Sequence, residues 1–391
     1  MRSMRQRTGN LVLLGLAHSL NHSLFLVLPP LLGVISGDLC VSYQTIGSIA
    51  TVSFLLYGVG ALVGGPLSSR FGEVQVAVVS ITMTGVSSLI FLLPKSVTTF
   101  SIGTYLYAVW ASFYHPTANT LISKLYRENT ASAMGMHGAV ASLAQVITPT
   151  VSYYIGTTYD WRYAYVFFWL ASVVSGLLLL RLPKTELTVV QSWDAVKRLL
   201  KLRGLWIIIV FNIFIGLLQR GVELFLPTFL INNRGLTGEM AALANSALLV
   251  FAVLGQLLGG WAADRYTPRK ALAVASGGIF LGLLLLIWSP WPIVGVVLFI
   301  LVFGASFYGH QPTATALLGQ QTPPDLMGAS FGVLFFFVFG LGSISATFSG
   351  YVADNFGLEV TFQILGFLGL CVFISSLLIL KIIGEERPVV G

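Results

Sequence analysis

Two stretches of this sequence decide its fold, because the second repeats the first. Residues 20–29 read Leu-Asn-His-Ser-Leu-Phe-Leu-Val-Leu-Pro, and residues 218–227 read Leu-Gln-Arg-Gly-Val-Glu-Leu-Phe-Leu-Pro. A repeat of this kind predicts a chain built from two halves of similar structure. Two further pairs of segments match in the same order: residues 60–70 with 255–265, and residues 111–118 with 305–314, the last with two additional residues.

The composition indicates the environment in which these halves fold. Hydrophobic residues make up 56% of the chain and charged residues only 9%, whereas a soluble domain has about 25% charged residues. So few charges exclude a soluble enzyme and a disordered protein. The two cysteines, Cys40 and Cys371, provide neither a disulfide framework nor a metal-binding spacing. The sequence therefore predicts an integral membrane protein.

Long apolar runs predict helical spans, since a helix needs about 20 apolar residues to cross a bilayer and barrel strands would alternate apolar with polar residues. The segment after the basic residues 1–7 is itself of span length and has no small-residue cleavage site, so we expect no cleavable signal. The fold class is thus an all-α membrane protein. We number its twelve predicted spans, in two groups of six, in chain order: 10–36, 43–69, 74–94, 98–123, 131–157, 162–182, 205–231, 238–263, 271–289, 293–318, 327–353 and 358–382.

The basic residues predict the orientation of these spans. Of the 21 Lys and Arg residues, 17 fall near the chain ends, between the two groups of spans, or in the loops after even-numbered spans. The opposite loops contain only Lys95, Arg162 and Arg234, and Arg220 lies inside span 7. The positive-inside rule then places both chain ends in the cytoplasm. We expect the spans to lie in the inner or plasma membrane. The net charge of +7 is a topology signal and does not indicate nucleic-acid binding.

The most polar segment, residues 183–204, predicts a cytoplasmic linker between an N-terminal half, residues 1–182, and a C-terminal half, residues 205–391. Within the linker, residues 192–200 have the pattern of a short capped amphipathic helix. Its basic face suits anionic headgroups, and a simple tether without a regulatory role is the alternative.

The loop after span 8 carries the most specific motif. Residues 260–270 read Gly-Trp-Ala-Ala-Asp-Arg-Tyr-Thr-Pro-Arg-Lys, and residues 65–72, after span 2, read Gly-Pro-Leu-Ser-Ser-Arg-Phe-Gly. Together with the two six-span halves, these segments resemble the loop signature of the major facilitator superfamily. The resemblance implies transport by alternating access, with a central cavity lined by spans 1, 4, 7 and 10.

The same resemblance implies a cytoplasmic latch, in which an acidic–basic cluster holds the halves together while the cavity is open on the other side. Ser69 stands where the family has an aspartate, so we expect a lopsided latch. The implied latch residues are Arg70, Asp264, Arg265, Arg269 and Lys270.

Shorter motifs resemble the fosmidomycin-resistance type of efflux protein within that superfamily. They are His-Ser-Leu-Asn at residues 18–21, Phe-Tyr-His-Pro at residues 113–116, and Leu-Pro-Thr-Phe-Leu at residues 226–230 after Arg220. The chain departs from this type at His22 and Thr117, where an acidic residue is expected. The antiporter signature of drug exporters is not evident.

Ionisable residues inside the predicted spans indicate the site, because charges at membrane depth are costly and normally face a bundle interior or a wet cavity. We expect His137, near the start of span 5, to be structural. Arg220 and Glu223 are three residues apart and can pair. The candidate substrate- and proton-binding residues are His18, Asn21, His22, His115, Arg220, Glu223 and His310.

Three interpretations of these residues remain open. Each histidine can simply bond a backbone carbonyl, and Arg220–Glu223 can be a structural ion pair. Alternatively, Arg220 attracts an anionic substrate while Glu223 and the histidines exchange protons, since histidine titrates near neutral pH. The histidines can also ligate a divalent transition metal, although Arg220 would repel a cation.

From these residues and the resemblance we expect a monomeric secondary transporter for proton-coupled efflux of a small, anionic organic compound or drug. Its partners would be the substrate, protons and the lipid bilayer, with no cofactor, no bound metal and no nucleic acid. No nucleotide-binding motif occurs, so ATP is not the expected energy source. The alternatives are proton-driven uptake of a metabolite, export of a divalent metal through the histidines, a non-transporting sensor, and a membrane-embedded enzyme, for which no catalytic set is evident.

Overall fold

The computed structural model describes residues 4–126, 130–185, 193–323 and 326–383, and these residues are nearly all helical. Part of the predicted linker, residues 186–192, and the two chain ends lie outside the described residues, as does Arg127. All twelve predicted spans coincide with helices, which confirms the fold class. Eight of the spans correspond to one α-helix each. In the order of spans 1, 2, 3, 7, 8, 9, 10 and 12, these helices are Met4–Asp38, Tyr43–Phe71, Glu73–Ser87, Arg203–Arg234, Gly238–Arg265, Pro268–Trp288, Pro292–Gln320 and Leu358–Ile382.

The other four spans are interrupted. Among the described residues, length and hydropathy alone identify ten membrane-crossing helices, because span 4 is divided into two short helices and spans 5 and 6 run together. Asp160 nevertheless has extended backbone and caps the helix that begins at Trp161, so spans 5 and 6 are separate. Span 4 is Val97–Ser112 and Tyr114–Leu125; span 5 is Thr130–Gln145 and Ile147–Ile155; span 6 is Trp161–Val166 and Trp169–Leu178; and span 11 is Met327–Phe335, the π-helical turn Phe336–Gly340, and Ile344–Phe356.

The break in span 4 lies at Phe113 and has a local cause. Pro116 has no N–H to give to the carbonyl of Ser112, and its ring would clash with that carbonyl in a continuous helix. The second helix of the span begins at Tyr114, which leaves Pro116 in its first turn, where a missing N–H costs nothing. His115 therefore starts a new helix, and its side-chain direction is set by the break.

Glycines hold the repeated segments of each half together. A Cβ on Gly60 of span 2 would lie 2.0 Å from Oγ of Ser112 in span 4, and a Cβ on Gly255 of span 8 would lie 2.2 Å from the carbonyl oxygen of Ala305 in span 10. Small residues at such positions let membrane helices approach closely. The glycines that the repeat aligns thus serve the same packing in both halves.

The two halves contact each other through spans 1 and 7, spans 2 and 11, and spans 5 and 8. Asp354 at the end of span 11 accepts hydrogen bonds from the backbone N–H groups of Tyr43 and Gln44, at 3.0 and 2.7 Å, and so caps span 2 of the other half. Further along the same pair of spans, the Thr51 hydroxyl donates to the Ser343 carbonyl at 2.6 Å. These contacts close the bundle at the end where Asp354 lies.

A short helix, Trp193–Leu199, lies between the halves in the chain. Lys197 and Arg198 are exposed on it, whereas Leu199 is fully buried. The helix contacts the first helix of span 11, Met327–Phe335. It is therefore docked on the C-terminal half by its apolar side, with its basic side chains outward.

Candidate functional site

Arg220 and Glu223 form an ion pair in the middle of span 7. Nη1 of Arg220 lies 2.8 Å from Oε2 of Glu223, and the Arg220 side chain is only 4% exposed against 26% for Glu223. The guanidinium lies 3.9 Å from the ring centre of Phe54 in span 2 and 5.3 Å from that of Phe339 in span 11. Cation–π contacts and one carboxylate together offset the cost of burying this charge. Arg220 is thus a fixed cation where spans from both halves meet.

A small cavity of about 40 Å³ lies beside Glu223, between spans 1, 7, 8 and 10. Gln219, Glu223, Asn245 and Tyr308 supply its polar wall, and the rest is apolar, including Leu26 of span 1. Nδ2 of Asn245 is buried and has no hydrogen-bond partner among the described residues. A mostly apolar lining with a few polar groups is typical of a small-molecule site, and this cavity would have to widen to admit an organic ligand.

Four histidines form a second cluster, within the N-terminal half. Nε2 of His22 lies 2.9 Å from Nε2 of His115, so one of these nitrogens carries a hydrogen that the other accepts. The His18 ring lies 4.6 Å from the rings of both His115 and His137, measured between centroids. We call these four residues the histidine cluster.

His137 lies with the histidines of spans 1 and 4, whereas His310 lies apart from them. His137 of span 5 stacks on His18, and its Nε2 lies 3.4 Å from the hydroxyl of Tyr114. This contact could not be predicted from the sequence pattern, because it depends on span 5 packing against span 1. His310 lies apart from the histidine cluster in span 10, with Nδ1 bonded to the carbonyl of Phe307 and its ring against Phe211. Only three of the four histidines predicted for the cavity lie together.

Asn21 is fully occupied by contacts inside the protein. Its Nδ2 donates to the carbonyl of Ala111 in span 4 at 2.8 Å, and its Oδ1 accepts from the hydroxyl of Tyr57 in span 2 at 3.0 Å. The side chain is completely buried. Asn21 therefore joins spans 1, 2 and 4 beside the histidine cluster and does not face the cavity.

Aromatic rings connect the histidine cluster to Arg220. His115 lies 6.0 Å from Phe335, and Phe335 lies 5.7 Å from Phe339, which contacts Arg220. Tyr57 also lies 5.4 Å from Phe339. Phe339 belongs to the π-helical turn of span 11, an irregularity that is frequent at functional sites. A role for Phe339 was not predicted from the sequence, since an apolar run does not indicate a π-turn.

The predicted latch residues lie in two settings. Arg70 is exposed, with its guanidinium 5.3 Å from the ring centre of Phe71, and Asp264 is also exposed. Arg269 is buried and donates from Nη1 to the carbonyl of Ile383 at 2.6 Å, which ties the start of span 9 to the end of span 12. Arg265 and Lys270 are exposed.

The N-terminal half has an equivalent connection between its third and sixth spans, which was not predicted from the sequence. Glu73, at the start of span 3, is 1% exposed and accepts hydrogen bonds from Lys124 and from Thr185, just after span 6. Each half thus fixes the start of its third span to the end of its sixth. The buried charged residue near the start of the third span is acidic in the N-terminal half and basic in the C-terminal half. The similarity is therefore evident from the structure and not from the sequence.

At the end of the bundle opposite to Glu73 and Arg269, Lys95 bridges two carboxylates. Its Nζ lies 2.9 Å from Asp38 and 3.1 Å from Asp160. The hydrogen bonds to Asp38 and Asp160 raise the pKa of the Lys95 ammonium above its ordinary value. Arg162 also pairs with Asp160, at 3.0 Å. Arg234 donates to the backbone carbonyls of Leu286 and Ile287 at the end of span 9. All three basic residues of the opposite loops therefore join spans within their own half.

Comparison with known proteins agrees with this architecture. The model of the Major Facilitator Superfamily matches residues 11–347. The gentisate transporter of Corynebacterium glutamicum is 24% identical over 352 residues, which are 83% of this chain and 77% of that protein. The fosmidomycin resistance protein of Escherichia coli is 26% identical over 142 residues, 36% of this chain and 34% of that protein. Both resemblances stated from the sequence motifs are confirmed.

A solved structure shows the same fold over the full length. A bacterial homologue of the human lysosomal transporter Spinster, inward-facing and unoccupied, superposes with a TM-score of 0.80 at 15% sequence identity. The superposition covers 99% of this chain and 100% of that chain. At this identity the likeness concerns the fold alone.

Proposed function

This chain belongs to the major facilitator superfamily, and from that premise we propose that it is a secondary transporter that moves a small organic anion together with a proton. Its membership makes it a multi-pass membrane transport protein. The finer proposal depends on one observation, the buried Arg220–Glu223 pair between the two halves. In a transporter with two such halves, the substrate site lies near mid-membrane where they meet.

Arg220 is the proposed anion site. Its guanidinium is held by two aromatic rings and one carboxylate, and it presents donors in a planar fork that fits a carboxylate. Glu223 lines the cavity and Arg220 lies behind it, so an anion entering the cavity would have to displace Glu223 to pair with Arg220. Asn245, whose amide is unpartnered among the described residues, supplies a second donor in the cavity wall.

Coupling to protons follows from this competition. When the substrate anion takes Arg220, Glu223 loses its partner, and an unpaired carboxylate at that depth is costly. Protonation of Glu223 removes the cost, so proton and anion bind best together. By linkage the effect is reciprocal. Arg220 and Glu223 therefore favour co-transport, in which an inward proton gradient drives the anion inward, over the export that we expected from the sequence.

The surroundings favour an aromatic anion. Phe54 and Phe339 flank Arg220, and Phe303 and Phe307 line the cavity. Aromatic rings pair with each other beyond the gain from burial alone. The long match to a gentisate transporter supports the same class, because gentisate is an aromatic carboxylate.

Export is the second candidate, and the relative named as a fosmidomycin resistance protein favours it. Export against an inward proton gradient requires that a proton displace the substrate. The Arg220–Glu223 pair does not provide this for an anion, so the histidine cluster would have to carry the proton. The two candidates predict opposite proton movements.

The experiment is uptake of labelled gentisate and other aromatic carboxylates into proteoliposomes with an alkaline interior. We expect accumulation by the wild type and its loss in Arg220→Gln. Glu223→Gln, which mimics the protonated carboxyl, should still exchange the anion across the membrane but no longer respond to the pH gradient. Glu239→Gln is the matched control, since Glu239 is an exposed acid at the start of span 8. Equal gradient-driven uptake by Glu223→Gln and wild type would overturn the proposal.

A further inference from the structure

The histidine cluster includes a set of metal-ligating atoms that the proposed transport mechanism does not use. His18, His22 and His115 each offer one ring nitrogen, and these three nitrogens all lie within 4.8 Å of one another. We propose that these three imidazoles form a site for a divalent transition metal, with Zn²⁺ as the reference ion. The site is distinct from the proposed anion site at Arg220.

The helices place the three rings together in a defined way. His18 and His22 are one turn apart on span 1 and therefore share a face. His115 reaches that face because span 4 breaks at Phe113 and a new helix begins at Tyr114. His137 stacks on His18 from the side of span 5 and fixes its ring. The site is thus held by the fold, with the break in span 4 as its essential element.

The electrostatics favour neutral imidazoles, which is the form that ligates metals. Among the described residues, none of the three rings is paired with a carboxylate, so an imidazolium here would have no counter-charge. Nδ1 of His18 is buried without a hydrogen-bond partner among the described residues. One buried nitrogen of the cluster is therefore left without a partner among the described residues.

One of the three nitrogen–nitrogen distances is close to that of a tetrahedral centre, and the other two are within 4.8 Å and would shorten on binding. Zn²⁺ binds imidazole nitrogen at about 2.0–2.1 Å, so two nitrogens on one tetrahedral ion are roughly 3.3 Å apart. Nε2 of His22 and Nε2 of His115 are 2.9 Å apart and need to separate only slightly. Three histidines leave the fourth position open, as in zinc sites that bind water or an anionic oxygen. Such an anion offsets the charge of the ion and also the repulsion from Arg220, whose charge acts on His22 across the rings of Tyr57 and Phe339.

The position of the three ligands in the fold indicates that the metal ion stays bound to the protein and is not transported. All three come from spans 1 and 4 of the N-terminal half, and none comes from the other half. A cargo ion in alternating access must be released as the halves move against each other, whereas this ion would join two spans of one half. The ion would therefore stabilise span 4 at its break and not be carried across the membrane.

The test is metal binding by purified full-length protein from which any polyhistidine tag has been removed. Isothermal titration with Zn²⁺, and the visible absorption of Co²⁺ in a tetrahedral site, would be measured on the wild type, His22→Gln, His115→Gln and the matched control His310→Gln. We expect one equivalent of metal in the wild type and in His310→Gln, and at least a tenfold loss of affinity in the other two variants. Because imidazole must be neutral to bind, affinity in the wild type should also fall at acidic pH.

Three results would overturn the proposal: no stoichiometric binding by the wild type, unchanged binding in both His22→Gln and His115→Gln, or accumulation of ⁶⁵Zn²⁺ in proteoliposomes, which would make the ion a cargo. Circular dichroism and size-exclusion profiles identify a variant that has not folded. The acidic-pH titration and the Co²⁺ spectrum of the wild type then still decide the question. None of these measurements depends on anion transport, so failure of the proposed function would leave them interpretable.

Discussion

Replacement of Asp354 by asparagine should open the end of the bundle that Asp354 closes. The carboxylate accepts from the N–H groups of Tyr43 and Gln44, so it caps span 2 of the opposite half and faces the positive end of that helix. Asparagine has one acceptor oxygen and no charge. Loss of one of the two hydrogen bonds costs about 1 kcal/mol, and loss of the charge adds a few tenths at an exposed site. Since about 1.4 kcal/mol is a factor of ten, the closed state should lose up to about tenfold in population.

The assay is the rate of maleimide labelling at Ala346→Cys in a background with both native cysteines replaced by serine. Ala346 is 1% exposed, and its carbonyl packs on Gly47 of span 2, so labelling requires the two spans to separate. We expect labelling up to about tenfold faster with Asp354→Asn than with the matched control Glu359→Gln, an acid at the same end of the C-terminal half. Equal rates in the two variants would refute the reasoning that the cap holds this end closed.

Other predictions concern stability, measured by denaturation in detergent. Gly255→Val should destabilise the protein by about 1–3 kcal/mol through overpacking against span 10. Gly260→Ala, whose added Cβ meets nothing within 4 Å, should have little effect. Similar losses of stability in both variants would contradict the packing argument. Glu73→Gln should cost about 1–3 kcal/mol because it leaves the partly buried Lys124 without its carboxylate, and an unchanged midpoint would contradict this. Lys95→Gln should cost less than about 1 kcal/mol, since the side chains of Lys95 and Asp38 are each about one-third exposed. Because the pKa of Lys95 is raised on folding, its contribution should be present below its ordinary pKa of about 10.4 and lost as the pH rises through the folded value.

The number and position of the spans were predictable, because lipid requires long apolar helices and the chain has twelve such runs. Their interruptions were not. Pro116 lies at the break in span 4, yet Pro227 and Pro312 lie inside continuous helices. A proline therefore permits a break, and packing around it decides whether one forms. In span 4 that packing includes the close contact of Gly64 with Pro116.

The candidate site was predictable to the extent that it is local. Arg220 and Glu223 are one turn apart, so their pairing followed from spacing alone. His137 and His310 depend on how spans pack, which the pattern along one helix does not contain. Glu73 was missed for the same reason, since its partners come from two other elements of the fold.

The central claim is that proton and anion share one pair of residues and move together. Its most direct test is a pH-sensitive dye inside wild-type proteoliposomes with no imposed pH gradient and with the membrane potential clamped. When an outward-to-inward gradient of the transported carboxylate is applied, co-transport through Arg220 and Glu223 predicts acidification of the interior, and Glu223→Gln should abolish it while anion flux persists. Alkalinisation of the interior would mean exchange of anion for proton and would contradict the account.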